Sequence, residues 1–243
     1  MSEAPKKPTQ KKAAPKGAAS KAKVKVDETK AEPKDDAALK LAVIEAALPH
    51  AAFDGFTDRV LEDAGKAAGL SAGETLRLFP DGPLSLVEAW SDAVDAQMTQ
   101  TLAALDLPGM KIRQRIAQAV QTRLAILKRH KDAARRAAAI LSLPMHASLA
   151  AKLLYRSVDA MWRAAGDTAT DFNFYTKRGI LAGVYGATLV RWFAGASSDE
   201  QATNEFLAAR IENVMQFEKL KAQAKDAFAN FPAFASWMKP KEK

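Results

Sequence analysis

From Ala37 onward, apolar residues recur at steps of three and four, strand-like alternation is scarce, and Gly or Pro separates the segments. This pattern predicts an all-helical domain. A first helix runs through "AALKLAVIEAALPHA". Thr57 is placed to cap a second, "DRVLEDAGKAAG", with Asp58 in its first turn and Gly69 at its close. Ser71 caps a short third helix, "AGETLRLF". Pro83 then opens a long fourth, "PLSLVEAWSDAVDAQMTQTLAAL". After "DLPG" come "MKIRQRIAQAVQTRLAILKRH", "KDAARRAAAILSL" and "ASLAAKLLYRSVDAMWRAAG". The segment "DFNFYTKRGILAGVYGATLV" and a last long helix, from about Ser198 to Ala229, complete the series. No period repeats along the chain.

The first 36 residues break the pattern: Lys, Ala, Pro, Ser and Glu dominate, and almost nothing large and apolar is available for burial. Such a stretch cannot offset its chain entropy, so residues 1–36 are expected to form a disordered tail. It holds ten lysines against six acids, half of the formal net charge of +8, which leaves an unremarkable balance for the rest of the chain. The expected divisions are a helix-turn-helix-like module over 37–82, a helical domain over 83–229 and an amphipathic end over 230–243. The absence of Cys excludes disulfides, thiolate metal sites and a cysteine nucleophile. No uninterrupted apolar run approaches the roughly 20 residues of a membrane span.

Helix, helix, tight glycine turn, short helix and then "LFPDGPLSLVEAW" resembles the DNA-binding third of TetR-type regulators. The side chains do not suit that task. A major-groove helix must bring Arg, Lys, Asn or Gln to base edges and cations to phosphates. "SAGETLRLF" offers one Arg and an acidic Glu74, and Ala37 to Pro80 carries four Lys or Arg against six Asp or Glu. The module is therefore expected to be a scaffold without a nucleic-acid partner.

Chemistry is equally thin elsewhere. His50, His130 and His146 are scattered, with no carboxylate or second His at helical spacing, and no phosphate loop or nucleophile elbow appears. No metal, cofactor or catalytic residue is expected. From Lys111 to Arg136 there are nine cations and one acid, Asp132, beside an apolar stripe of Ile112, Ile116, Val120, Leu124 and Leu127. The stripe reads as core; the cations read as a solvated face, a headgroup-binding face or a partner surface. Gly179, Gly183 and Gly186 interrupt a helix that is apolar nearly all round, and each costs about 1 kcal/mol relative to Ala. Their presence asks either for close helix packing or for a groove that admits an apolar guest. Phe172, Phe174 and Tyr175 form an aromatic head suited to an interface or to ordinary core. Phe228, Phe231, Phe234 and Trp237 among lysines suit a membrane interface or the domain's own surface, with Pro232 breaking the helix.

"LSLP", "VDAMWRAAGDTATDFNFYTKRGILAGVYGATL" and "FLAARIENVMQFEK" together resemble the coenzyme Q (ubiquinone) biosynthesis accessory protein family. The resemblance extends over about Ala37 to Lys221. It implies a TetR-like helical bundle with a degenerate N-terminal helix-turn-helix and a C-terminal ligand-binding helical domain. It also implies a non-enzymatic protein that binds isoprenoid lipids or quinone intermediates and presents them to the di-iron demethoxyubiquinone hydroxylase at a membrane surface. The partner contact falls on Asp171, Phe174 and Tyr175, with Phe174 standing where eukaryotic relatives have Trp. Helix placement then puts Gly179, Gly183 and Val184 on the wall of a lipid tunnel, together with Trp90, Met98, Leu153, Met161, Trp162 and Trp192. Phe228, Phe231, Phe234 and Trp237 would touch the membrane. The Lys-rich start without a clear presequence suggests a bacterial cytoplasm, with peripheral attachment to the inner membrane. Homodimerisation stays open. The rival function is a ligand-responsive TetR-type transcriptional regulator.

Overall fold

The structure is a computed structural model, and it describes residues 33–168, 172–195 and 199–229. Among these residues there are nine α-helices, one 3₁₀ turn and no strand. The expectations for most of the N-terminal tail, for Asp171 and for the C-terminal Phe231, Phe234 and Trp237 lie outside the described residues, as does the side chain of Phe228.

The first three helices are α1 (Pro33–Asp54), α2 (Asp58–Ala67) and α3 (Ala72–Leu78). Helix α1 begins four residues before the expected end of the tail. Its Asp36 receives a two-point hydrogen bond from Arg77 of α3, at 2.7 and 2.8 Å. Local chemistry sets the other boundaries. Thr57 accepts from the Val60 amide, and Ser71 forms a reciprocal capping box with Glu74. Gly69 turns the chain at φ +77°, in the left-handed region that disfavours other residues. Helices α1 and α2 pack on α4 (Pro83–Ala103), where Phe56 of the loop between them stacks on Trp90 with ring centroids 5.9 Å apart.

The larger part comprises α5 (Ile112–Lys128), α6 (Lys131–Leu141), α7 (Ala147–Ala164), α8 (Phe172–Ala194) and α9 (Glu200–Ala229). Helix α4 packs against α5 and α7, α7 against α8, and α8 against α9. The α5 stripe is core as expected: Ile116, Val120, Leu124 and Leu127 are buried, and only Ile112 at the helix start is exposed. On the outer side, Glu88 of α4 accepts from Lys152 and Arg156 of α7 at 2.6 and 2.8 Å, and Arg156 also reaches Asp92 at 2.6 Å. The Lys152 ammonium holds the Glu88 carboxyl below its ordinary pKa. No single helix among the described residues is long and apolar enough to cross a membrane.

The cations between Lys111 and Arg136 do not form one free face. Arg115 donates to the carbonyls of Met110, Ala165 and Pro108, tying the α4–α5 loop to the end of α7. Lys131 is buried, donates to the Gly195 carbonyl and stands 5.0 Å from the Trp192 ring centroid. Arg135 and Arg136 reach the carbonyls of Phe193 and Phe53. Arg113 and Lys128 pair with Glu212 and Glu200 of α9. Many of these cations tie helices and loops together, which neither a solvated nor a headgroup-binding face describes.

Candidate functional site

Helices α4, α5, α6, α7 and α8 line a cavity of 490 Å³, within the range of small-molecule sites. Its walls are apolar: Leu127 from α5, Ala137 and Leu141 from α6, Leu153 and Leu154 from α7, and Leu189 from α8. The cavity reaches the surface between Ser142 and Val190, both exposed, and ends inside against Trp90 and Tyr185, both buried. Gly186 forms part of the wall. No neighbouring atom stands within 4 Å of where its Cβ would be, so the missing side chain opens space.

A polar cluster closes the inner end. Arg123, 6% exposed, donates from Nε to Asp95 Oδ1 at 2.6 Å, from Nη1 to the Tyr185 hydroxyl at 2.5 Å and from Nη2 to Ser91 Oγ at 3.0 Å. Ser157 donates to the other Asp95 oxygen at 2.8 Å. Burial works against the Arg123 charge, but Tyr185 and Asp95 beside it more than offset that and hold its pKa above the ordinary value. Burial also pushes the Tyr185 phenol up, so it stays protonated.

A second, smaller cavity of 290 Å³ lies between α5, α8 and α9, lined among others by Ile116, Trp162, Ile180, Val184 and Val214. Beside it stands the α7–α8 corner that carries the "MWRAAGD" and "FNFYTKR" motif. Arg178, 3% exposed, donates to Asp159 at 2.7 Å, to Asp167 at 3.1 Å and to the Phe174 carbonyl at 3.2 Å. Lys177 donates to the other Asp167 oxygen at 2.8 Å, and the Trp162 indole donates to the Lys177 carbonyl at 3.2 Å. Gly166 turns the chain at φ +87°, against Arg115. Much of this motif is therefore a structural lock. Tyr175 stands outside it, 67% exposed, and Phe174 beside it is half-buried.

The structure divides the expected tunnel residues. Trp90 and Leu153 line the larger cavity, and Trp162 and Val184 line the smaller one. Met98 and Met161 are fully buried core that touches neither cavity. Trp192 is buried under Lys131 and lines neither apolar cavity. Gly179 and Gly183 are corrected outright: they lie on the exposed side of α8, with nothing within 4 Å of a Cβ at either position. The physical reason is the apolar character of α8 on every side, so its sequence carries no phase from which to read the inward face. Sequence reasoning missed Arg123, Asp95 and Tyr185 as one cluster. An arginine on the same helix as the apolar core positions was the available signal.

A helical bundle with an apolar cavity behind a helix-turn-helix-like module defines the TetR-like fold. The arrangement is similar to the crystal structure of a TetR transcriptional regulator from Nitrosomonas europaea, with a TM-score of 0.58 at 20% identity, covering 72% of this chain and 97% of that one. At such identity the likeness concerns the fold alone. Residues 147–218 match the COQ9 family model. The chain is 31% identical over 194 residues to "Ubiquinone biosynthesis protein COQ9, mitochondrial" of Bos taurus, covering 77% of this chain and 60% of that protein. It is 32% identical over 190 residues to the protein of the same name in Rattus norvegicus, covering 75% and 61%. It belongs to the COQ9 family. The chain spans about three fifths of the length of these relatives. Their being named mitochondrial overturns the expectation of a bacterial cytoplasm, which rested on a Lys-rich start that carries little information about compartment.

Proposed function

We propose that this chain is a lipid-binding accessory protein of ubiquinone biosynthesis, without catalytic activity of its own. It holds an isoprenoid lipid or quinone intermediate in the cavity between α6, α7 and α8 and presents it to the di-iron demethoxyubiquinone hydroxylase at a membrane surface. The observation that carries this reading is the cavity itself: 490 Å³, apolar along its length, open between α6 and α8 and widened where Gly186 lacks a side chain. Each buried methylene of a prenyl chain contributes about 0.8 kcal/mol relative to water, while the bilayer offers the same environment, so exchange between the two is close to balanced.

The motif corner supports the second half of the reading. Tyr175 projects from a rigid frame, which limits the ordering cost of docking a partner there. Asp171, Phe228, Phe231, Phe234 and Trp237 enter this proposal from the sequence alone. The rival reading, a DNA-binding regulator, is disfavoured because Arg77, the one cation of α3, is held by Asp36.

Mass spectrometry of solvent extracts from the purified protein tests the proposal. Co-purified isoprenoid or quinone is expected, and a Gly186→Leu variant, whose side chain enters the cavity, should fold and lose that load. Absence of any lipid from the parent protein, or an undiminished load in the variant, would reject the cavity as the site. Deleting the residues after Ala227 should reduce flotation with liposomes. Unchanged flotation would remove the C-terminal aromatics from the membrane role.

A further inference from the structure

The inner end of the larger cavity has more hydrogen-bond donors than acceptors. Arg123 offers five N–H groups, of which Asp95, Tyr185 and Ser91 engage three. The Tyr185 and Ser91 oxygens each accept from Arg123, and among the described residues neither hydroxyl is seen donating a hydrogen bond of its own. Ser157 is already spent on Asp95. Arg123, Ser91 and Tyr185 all line the cavity, so the surplus donors converge where the space closes, beside the Trp90 ring.

The cluster is also balanced in charge. The Arg123 cation lies against the Asp95 anion, and the Tyr185 phenol stays neutral. A carboxylate or phosphate brought here would find the Arg123 charge already compensated by Asp95 behind it, and would be costly to desolvate. A neutral oxygen acceptor, by contrast, gains donors that otherwise point into an apolar space. From Tyr185 outward the walls are mainly apolar, through Leu153, Leu189 and Leu141, to the mouth at Ser142 and Val190.

We infer that the cavity takes its ligand oxygen end first: a neutral carbonyl or ether oxygen lies against Tyr185, Ser91 and Arg123, and the isoprenoid tail runs outward between α6 and α8. The inference deepens the lipid-carrier reading and rests on it. It adds to that site a polar anchoring end and a direction, with the polar ring shielded inside the protein and the tail at the surface.

Three probes of similar length distinguish the outcomes on the full chain: a benzoquinone bearing two prenyl units, an isoprenoid hydrocarbon of equal carbon count, and the matching prenoic acid. The quinone should bind most tightly. Tyr185→Phe, which keeps the ring and removes the hydroxyl, should weaken quinone binding about 3- to 10-fold and leave the hydrocarbon unchanged. Ser91→Ala should act in the same direction, and a melting curve for each variant separates this from a folding defect. A quinone ring seated beside Trp90 should also quench indole emission, and Trp90→Phe should abolish most of that quenching. Equal binding of quinone and hydrocarbon, or a quinone affinity indifferent to both hydroxyl deletions, would overturn the orientation while leaving a lipid cavity standing. Tightest binding by the acid would overturn the neutral-oxygen assignment. Failure of all three probes to bind, with a lipid load that Gly186→Leu does not change, would reject the cavity and the orientation together.

Discussion

Arg178 holds its guanidinium carbon 3.4 Å from the centroid of the Phe174 ring, while the same side chain bonds Asp159 and Asp167 from the end of α7. One buried cation thus fixes both the corner of the chain and the ring at the head of α8. Tyr175 meets Phe174 edge-on, with centroids 5.1 Å apart and planes at 78°. The proposed docking pair consequently has one ring set by the fold and one ring free to reach a partner.

That difference separates the two aromatics in a pull-down with the hydroxylase. Tyr175→Ala should weaken capture at least tenfold, the size of a buried aromatic anchor, with no change in melting temperature. Phe174→Ala should weaken capture and also lower stability by about 1–2 kcal/mol in urea titrations, because it strips the cover from Arg178. Full capture by the Tyr175 variant would move the contact elsewhere.

Removing a carboxylate from the corner should cost far more than removing one from the outer surface. Asp167→Ala leaves the nearly inaccessible Arg178 short of a partner and should destabilise the fold by about 3 kcal/mol. Asp63→Ala, whose carboxylate meets Arg59 and Lys66 in largely exposed pairs, should change stability by less than about 0.5 kcal/mol. Midpoints of urea unfolding compare the two directly.

Two glycines in neighbouring elements should respond oppositely to alanine. Gly166→Ala places a side chain at φ +87° and should cost about 1–2 kcal/mol. Gly183→Ala, in an exposed helical position with nothing near the new methyl, should stabilise by up to about 1 kcal/mol. Destabilisation by the second change would restore Gly183 to a packed site.

Acidification should weaken the fold through His130, at the junction of α5 and α6. Burial, reinforced by Arg129, lowers its pKa in the folded protein, so the unfolded chain binds the proton more tightly. The resulting stability is fully present above the ordinary imidazole value, about 6.5, and is lost as pH falls through the lower folded value. A His130→Gln variant should show a flatter stability profile in that window. An unchanged slope would assign the pH dependence to carboxylates such as Glu88.

Local signals carried the helix boundaries: Thr57, Ser71 with Glu74, Gly69 and Pro83 each act within a few residues of themselves, and each is found in the role its chemistry implies. The α5 core was legible because four of its five apolar positions share one face. Long-range pairings were not. Arg123 sits in a basic run that looks solvent-facing, and only the packing of α4 and α8 places Asp95 and Tyr185 beside it. In α8, apolar residues on every side left its orientation undetermined, so Gly179 and Gly183 could not be told from Gly186. Family resemblance located the α7–α8 motif, but only the geometry separates its bracing residues from its outward ring.

The Phe56–Trp90 stack makes the helix-turn-helix-like module the stopper of the larger cavity. Whatever fills that space presses on a ring shared with the N-terminal helices, so occupancy and the firmness of those helices rise together. The module thereby serves the rest of the bundle as a backing plate.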